Sequence, residues 1–446
     1  MIRTIRRKIK EKRLKKNLSV FLGPREIAGM MERLNNAYRE LGFRSDFFCL
    51  MDYKFGSSHG ETNSFWGLKL YKRHAKKRTN TNNTFFVGVY EILKAIDTVI
   101  IFIYVLANYD VFIYIFGQGI FDYSALLSKV TKVEFAVLKA MNKKMVMLLC
   151  GSDSRPAYCG WGANSMDIDS IYSAVKEKSK HIRMLEKYFI LIDNPASAHF
   201  HTKPYYSTNC MRIPIDESDL VRKQKVTINS RPVVLHAPSN MEMKGTSVIR
   251  RIIKELVEEG FDIEYIEVKD LPHSEVLNVL RRADIVVDEL YSDTPMAGLD
   301  TEASINSVPV ITCGFFADYY RKWIPEPLPP TVYCRPDQLK EKLIWLINDS
   351  AARERIGKLE FEYVKNYCIS THVAKRILDM IDGHSPDSYL VHPNEVDYIW
   401  GWGNTKETVT SCVVRLIDKY GFSALCISPD SVLYKEYERL YSEKKK

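Results

Sequence analysis

The chain has 446 residues, too many for one hydrophobic core and enough for two domains with additions. Its 46% hydrophobic content is that of an ordinary globular protein and excludes global disorder. The nine cysteines form no Cys-x-x-Cys pair and keep no metal-ligand spacing, and the formal charge of +9 is concentrated in places.

In chain order, residues 1–16 are a basic tail with nine Lys and Arg residues against Glu11 alone. Leu18-Ser-Val-Phe-Leu22 predicts a short strand ending at Gly23-Pro24, and apolar positions Ile27, Met30, Met31, Leu34, Ala37, Tyr38 and Leu41 predict a helix that Gly42 stops. Ser45 to Leu50 reads as a second strand. Residues 52–84 are polar, basic and rich in Gly and Asn, which predicts a mobile insert. Were this insert helical, Lys69, Lys72, Arg73 and Lys76 would share one face just after Phe65-Trp66. Such a face suits an anionic membrane surface, where each basic group contributes about 1 kcal/mol; a solvated basic face explains it as well. No nucleic-acid motif accompanies the charge, so no nucleic-acid partner is expected.

Further along, a helix (85–107), strand (111–116), helix (123–141), strand (144–150), helix (168–187), strand (188–192) and a short helix near Pro195 alternate. Thr98 to Ala107 is continuously apolar, but Asp97 and Asn108 bracket it, and a span needs about twenty residues. It reads as a core helix. Ile213-Pro-Ile-Asp216 and the polar run Glu217–Ser230 read as a connection. Strands near 233, 263, 285 and 309 follow, each with helical periodicity behind it, and then helices over 336–348, 351–366 and 371–381. Residues 384–446 predict a helix (405–420), a strand (Ser423 to Ile427) and a terminal helix. The chain thus divides into a tail (1–16), an α/β domain (17–222), a second α/β domain (223–383) and an α/β extension (384–446). The alternation implies doubly wound parallel sheets.

Chemistry concentrates at Val233-Val-Leu-His-Ala-Pro-Ser-Asn-Met-Glu-Met-Lys-Gly-Thr-Ser247. A β-rich run ends in a polar loop, Lys244 and Gly245, and an amphipathic helix follows. Free backbone N–H groups and the helix dipole point at one spot in such a turn, and Lys244 adds a mobile positive charge. The expected ligand is a phosphate or diphosphate.

The order His236-Ala-Pro-Ser-Asn240, Lys244-Gly-Thr246, Leu271-Pro-His-Ser-Glu-Val276, Arg281-Arg-Ala-Asp-Ile-Val-Val-Asp-Glu-Leu290, Gly298-Leu-Asp-Thr-Glu-Ala-Ser304 and Val308-Pro-Val-Ile-Thr312 resembles the C-terminal domain of the retaining GT-B glycosyltransferases called group 1 or family four. A weaker likeness extends upstream through Asn17–Met30, Tyr109–Gly117, Met145–Arg155 and Arg212–Asp216. The resemblance implies a GT-B architecture, in which two Rossmann-like doubly wound domains face a cleft. It also implies transfer of a sugar from a nucleotide-diphosphate donor with retention of configuration and no metal.

By the same resemblance, Lys244 contacts the donor diphosphate and Glu302 the nucleotide ribose, and the helix N-termini after Gly245 and Gly298, with Leu299, face the donor; Asn240 or an arginine of the first domain is a candidate to replace the grip lost at Ser239. Two positions depart from the family pattern. Ser239 stands where an arginine is usual, and Thr294 stands where the first glutamate of a Glu-x7-Glu motif is usual. Asp153 and Arg155, after the strand at 144–150, are candidates to meet an acceptor hydroxyl and the diphosphate, or to pair with each other. Gly23 marks the first strand–helix turn, where backbone can approach donor phosphates; a helix-start turn explains it nearly as well.

Other residues read as structural. Asp167-Ile-Asp169 spells a metal-binding triplet but lacks a preceding strand, and His199 and His201 read as surface or capping groups. His236 reads as a satisfied buried histidine. The function expected is a glycosyltransferase acting on a glycan or lipid-linked acceptor in surface polysaccharide or glycolipid synthesis. It would need no cofactor beyond the nucleotide-sugar substrate. A nucleotide-sugar epimerase on the same scaffold and a catalytically degenerate binding subunit remain open alternatives. With no secretory leader in view, the thiols are expected to be reduced in a cytoplasmic protein, at the inner face of the membrane if the basic segments hold it there.

Overall fold

A computed structural model describes residues 18–51, 65–221, 231–269, 271–319, 322 and 327–446. The basic tail, most of the residues 52–65 stretch and the 222–230 connection lie outside the described residues. The chain forms two compact units. One comprises Met1–Cys150, Met184–Ile192 and Ser370–His384; the other comprises Gly151–Arg183, Asp193–Ile369 and Ser385–Lys446.

In the first unit, β1 (Ser19–Leu22), β2 (Arg44–Phe47), β3 (Val111–Ile115), β4 (Lys144–Leu148) and β5 (Ile190–Asp193) are parallel neighbours in the order β2-β1-β3-β4-β5. The central strands β1, β3 and β4 are buried and mostly apolar on both faces, as strands covered on both sides require, whereas the edge strand β2 carries Arg44, Ser45 and Asp46. Phe21 on β1 sits at the centre of an aromatic core, with the rings of Phe48, Tyr109, Phe112 and Tyr114 at 5.4–6.2 Å. Helix Met30–Glu40 lays Met31, Leu34, Ala37 and Tyr38 on this core. Helix Ser370–Asp382 returns to pack beside it, and Asp382 pairs with Lys144 at 2.5 Å.

The part of the predicted insert that is described is ordered secondary structure. Trp66–Thr79 is a helix, and with Thr84–Asn108 it makes an antiparallel hairpin. Phe65 stacks on Tyr104 at 3.9 Å, His74 meets Asp97 at 2.6 Å and Arg78 meets Glu91 at 2.7 Å. Composition hid the first helix because its buried side is only Gly67, Leu68 and Tyr71. The second helix is not the core helix expected: Ile101, Phe102 and Val105 are buried, but Ile103 on the opposite side is exposed.

In the second unit, β7 (Val233–His236), β8 (Glu264–Glu267), β9 (Ile285–Val287), β10 (Val310–Cys313) and β11 (Val332–Cys334) are parallel in the order β8-β7-β9-β10-β11. Strand β6 (Tyr205–Ser207) pairs antiparallel with β12 (Leu390–Val391) apart from this sheet. Alternate residues serve opposite faces. Val234, Ile285, Val287 and Ile311 pack with Ile249, Ile253 and Leu256 of helix Thr246–Glu258. Leu235, Val286 and Val310 pack with Leu280 of helix His273–Leu280 and Ala303 of helix Gly298–Ile305. Each such fully buried aliphatic side chain contributes about 1.5–3 kcal/mol of burial. Two Rossmann-like parallel sheets with helices on their faces are the α/β class the sequence implies.

The extension joins the second unit. Tyr437 of its terminal helix (Val432–Lys445) meets Tyr158 edge-on at 5.5 Å, and Asn404 Nδ2 donates to Cys159 O at 3.1 Å. A Cβ on Gly401 would lie 1.9 Å from that same carbonyl oxygen, so only glycine fits. The predicted strand at 423–427 is a 3₁₀ turn over Phe422–Leu425, ended by Cys426 at φ +56°. The predicted helix near Pro195 is a turn. All nine cysteines are free, seven of them buried.

Candidate functional site

In the second unit, chain order reverses direction between β7 and β9: β8 lies on one side of β7, and β9, β10 and β11 run away on the other. Open α/β sheets bind ligands at this switch point, outside the carboxyl ends of the strands. The loops leaving it are 237–245 and 288–297. His236 ties the floor together. Its Nδ1 meets Val287 O at 2.9 Å and its Nε2 meets Thr246 Oγ1 at 2.9 Å, and burial pushes its pKa down, so the ring is a neutral, satisfied core group.

Gly245 starts helix Thr246–Glu258 at φ +70°, with Leu290 so close that a Cβ would fall 2.7 Å from it. No side chain caps this helix and its first turn holds no acid, so its terminal N–H groups are left without a capping side chain.

Lys244 is not the mobile charge its loop suggests. Its Nζ lies 2.9 and 3.0 Å from the two carboxylate oxygens of Asp288 and 3.0 Å from Glu289 Oε2. Burial alone would push the ammonium's pKa down, but the two carboxylates more than reverse this and hold it above its ordinary value. Arg155 does not pair with Asp153; its guanidinium bonds Asp293, and both side chains are almost wholly buried. Burial opposes the charge on Arg155 and Asp293 restores it, so its pKa is raised. The Arg155 Nε is buried with no hydrogen-bond partner among the described residues.

One further side chain links the two cations. Trp402 Nε1 donates to Glu289 Oε2 at 2.7 Å, and Arg155 lies over the Trp402 ring at 5.9 Å. Asp300, at the start of helix Gly298–Ile305, accepts from Ala297 N at 2.9 Å. Burial, then the nearby Asp288, pushes its carboxyl well above the usual range. Two cations therefore face three buried carboxyl groups, Asp288, Glu289 and Asp293.

The remaining predicted residues are more scattered. Asn240 organises the loop, its Oδ1 accepting from Met243 N at 3.0 Å and its carbonyl from Lys244 N at 3.0 Å. Ser239 is exposed. Thr294 is held by backbone alone, through Ser292 Oγ at 3.0 and 3.2 Å. Gly298 is exposed and Leu299 packs on the β7–β9 face. Glu302 is occupied by His273 Nε2 at 2.7 Å. Asp153 is half-buried in the turn that Gly151 O closes with Ser154 N and Arg155 N, and Lys178 Nζ ties that turn through the carbonyls of Ser152 and Arg155.

Sequence reasoning assigns no role to Asp288, Glu289, Asp293 or Trp402. The run Asp288-Glu289 after an apolar strand was the available signal for two of them; the Trp402 contact spans 113 residues and leaves none.

In the first unit the equivalent crevice lies between β1 and β3. Gly23 has φ +152° and a Cβ there would meet Phe48 O at 2.6 Å. Arg25 lies over the Phe116 ring at 4.4 Å. Glu26 is buried and accepts from Ile27 N (2.7 Å), Met31 N (3.1 Å) and Glu32 N (3.0 Å), filling its helix N-terminus with the protein's own carboxylate.

The decoys resolve structurally. Asp167 caps Ser170 N at 2.8 Å and Asp169 bonds Lys419 and Tyr420. His199 and His201 are not surface groups. They are buried, bonded to Tyr398 O at 2.8 Å and Asp193 Oδ2 at 2.9 Å. No cluster of three or more metal-ligating side chains occurs among the described residues.

No protein-family model matches the chain, and no curated protein matches it. Solved structures similar to it include Anabaena HepE in complex with UDP, at 10% identity over 82% of this chain and 100% of that one, with a TM-score of 0.43. Sucrose-phosphate synthase from Thermosynechococcus elongatus is 13% identical over 82% and 99%, with a TM-score of 0.46. A glycosyltransferase from Rickettsia africae is 11% identical over 82% and 98%, with a TM-score of 0.44. No residue role rests on likenesses this distant.

Proposed function

We propose that the protein is a nucleotide-sugar-dependent glycosyltransferase of the GT-B kind whose donor diphosphate enters the β7–β9 crevice of the second unit. The observation that carries this reading is a pair of cations, the largely buried Lys244 and the buried Arg155, each held by carboxylates of the 288–297 loop, the latter with an unsatisfied N–H. A buried donor without a partner costs about 1–3 kcal/mol, and a phosphate oxygen relieves that cost. In transfer, the bond from the sugar's anomeric carbon to the diphosphate oxygen breaks and a bond to the acceptor oxygen forms. The acceptor's proton passes to the departing diphosphate. Lys244, Arg155 and the uncapped helix N-terminus then stabilise the charge that develops on it. Retention of configuration and a glycan or lipid-linked acceptor belong to this proposal, by resemblance to family four.

Because Lys244 is already neutralised by Asp288 and Glu289, donor binding must draw it away from them. The same pairing favours a second reading, a subunit that binds nucleotide or glycan without turnover. A panel of UDP-, GDP-, ADP- and TDP-sugars tests both. The transferase reading expects one donor to raise the thermal midpoint with concentration and to yield a product only with acceptor. Binding without product supports the second reading, product without acceptor an epimerase, and no binding overturns all three.

A further inference from the structure

The solvent side of helix Thr84–Asn108 lacks the polar residues an exposed helix face carries. Phe85, Ile92, Ile96, Val99 and Ile103 are all exposed, Phe85 at 72% and Ile103 at 58%, and their spacing stacks them in one stripe. The other exposed positions of the helix, Thr84, Phe86, Gly88 and Ala107, carry no charge either. Its ionisable groups are engaged within the hairpin: Asp97 with His74, and Glu91 with Arg78 and Lys94. A helix of this length is about 37 Å long. The apolar stripe from Phe85 to Ile103 runs along about 27 Å of it, and an exposed apolar patch of that extent marks an interaction surface.

The neighbouring helix Trp66–Thr79 supplies the second half of the surface. It holds six Lys and Arg residues and no acid. Trp66, Lys69, Arg73, Lys76 and Lys77 are exposed. Arg73, Lys76 and Lys77 line one groove with Phe86 and Tyr90 of the partner helix, so cations and aromatic rings meet at the hairpin's tip. Among the described residues, no helix is long and apolar enough to cross a membrane.

We propose that this hairpin is a docking face that lies in the plane of an anionic phospholipid bilayer. Apolar side chains enter the boundary between headgroups and acyl chains while the basic residues stay among lipid phosphates. A second copy of the chain fits less well, because it would set six more cations against these six. The inference does not depend on sugar transfer.

The test sediments the full-length protein, without nucleotide, with vesicles of phosphatidylcholine alone or mixed equally with phosphatidylglycerol. Retention on the anionic vesicles only is expected. Lys69→Gln with Lys76→Gln should weaken it about thirtyfold, each cation counting about fivefold. Ile92→Ser with Ile96→Ser and Ile103→Ser should weaken it tenfold or more, roughly, through lost burial. An unchanged thermal midpoint in the lysine pair confirms that the fold is intact. Equal retention on neutral vesicles, no retention, unchanged binding in both variant sets, or conversion of a dimer to monomer by the serine variants overturns the proposal. Nucleotide binding is unaffected in either case.

Discussion

The two units share a sheet order, β2-β1-β3-β4-β5 in one and β8-β7-β9-β10-β11 in the other, and so each has a switch-point crevice. Their chemistry differs. The first crevice answers its helix N-terminus with its own Glu26 and leaves Arg25 stacked on Phe116. The second leaves its helix N-terminus uncapped and crowds two cations and several carboxylates around it. Sheet order therefore places a crevice, while the loops decide whether it receives an external anion. In the first unit the helix-end site is already filled.

The largest difference should appear when each crevice loses its cation. Lys244→Ala leaves Asp288 buried without its ion-pair partner and Glu289 with Trp402 alone, and should cost about 3–5 kcal/mol in urea unfolding. Lys244→Met with Asp288→Asn and Glu289→Gln should recover most of that. Arg25→Ala should cost less than about 1 kcal/mol, since only a ring contact is lost. Equal losses at the two sites would erase the contrast.

pH should separate the units next. Glu134 of the first unit accepts from Ile120 N, Phe121 N and Tyr114 Oη, yet burial pushes its pKa up to about 7 from 4.5. A raised carboxyl stabilises the fold fully below pH 4.5, and that contribution, about 3 kcal/mol, is lost as pH rises to 7. His199 of the second unit is lowered by burial to about 3 from 6.5, so its contribution is present above pH 6.5 and is lost as pH falls toward 3. Corrected for intrinsic rates, amide exchange at 117–123 should slow between pH 7 and about pH 5, while exchange at 396–404 should quicken. Parallel changes in both segments would contradict the assignment.

A smaller effect compares two glycines of the second crevice. Gly245→Ala meets Leu290 at a left-handed φ and should cost about 1–3 kcal/mol. Gly298→Ala enters open space and should stay within about 0.5 kcal/mol. Thermal unfolding of both variants measures the gap, and a larger loss at Gly298 would reverse the roles given to these turns.

Much of this fold was legible from periodicity. The helix expected at 85–107 is Thr84–Asn108, and the strands expected near 233, 263, 285 and 309 are all present. Trp66–Thr79 was missed because a helix that buries only three residues carries almost no apolar stripe. Ser423 to Ile427 has strand-like residues but pairs with no strand among the described residues. At the site, Lys244 and Gly245 were legible because one loop carries both. Asp288, Glu289 and Asp293 acquire their meaning only when β7 and β9 lie side by side, and Trp402 arrives from the extension.

The central claim is that Lys244 exchanges its internal carboxylates for a donor diphosphate. Calorimetric titration of UDP, GDP, ADP and TDP into the wild type and the Asp288→Asn, Glu289→Gln double variant tests it most directly. The account predicts that one nucleotide binds the wild type and binds the variant more tightly, because the competitors for Lys244 are gone. No binding to either protein, or weaker binding to the variant, would contradict it.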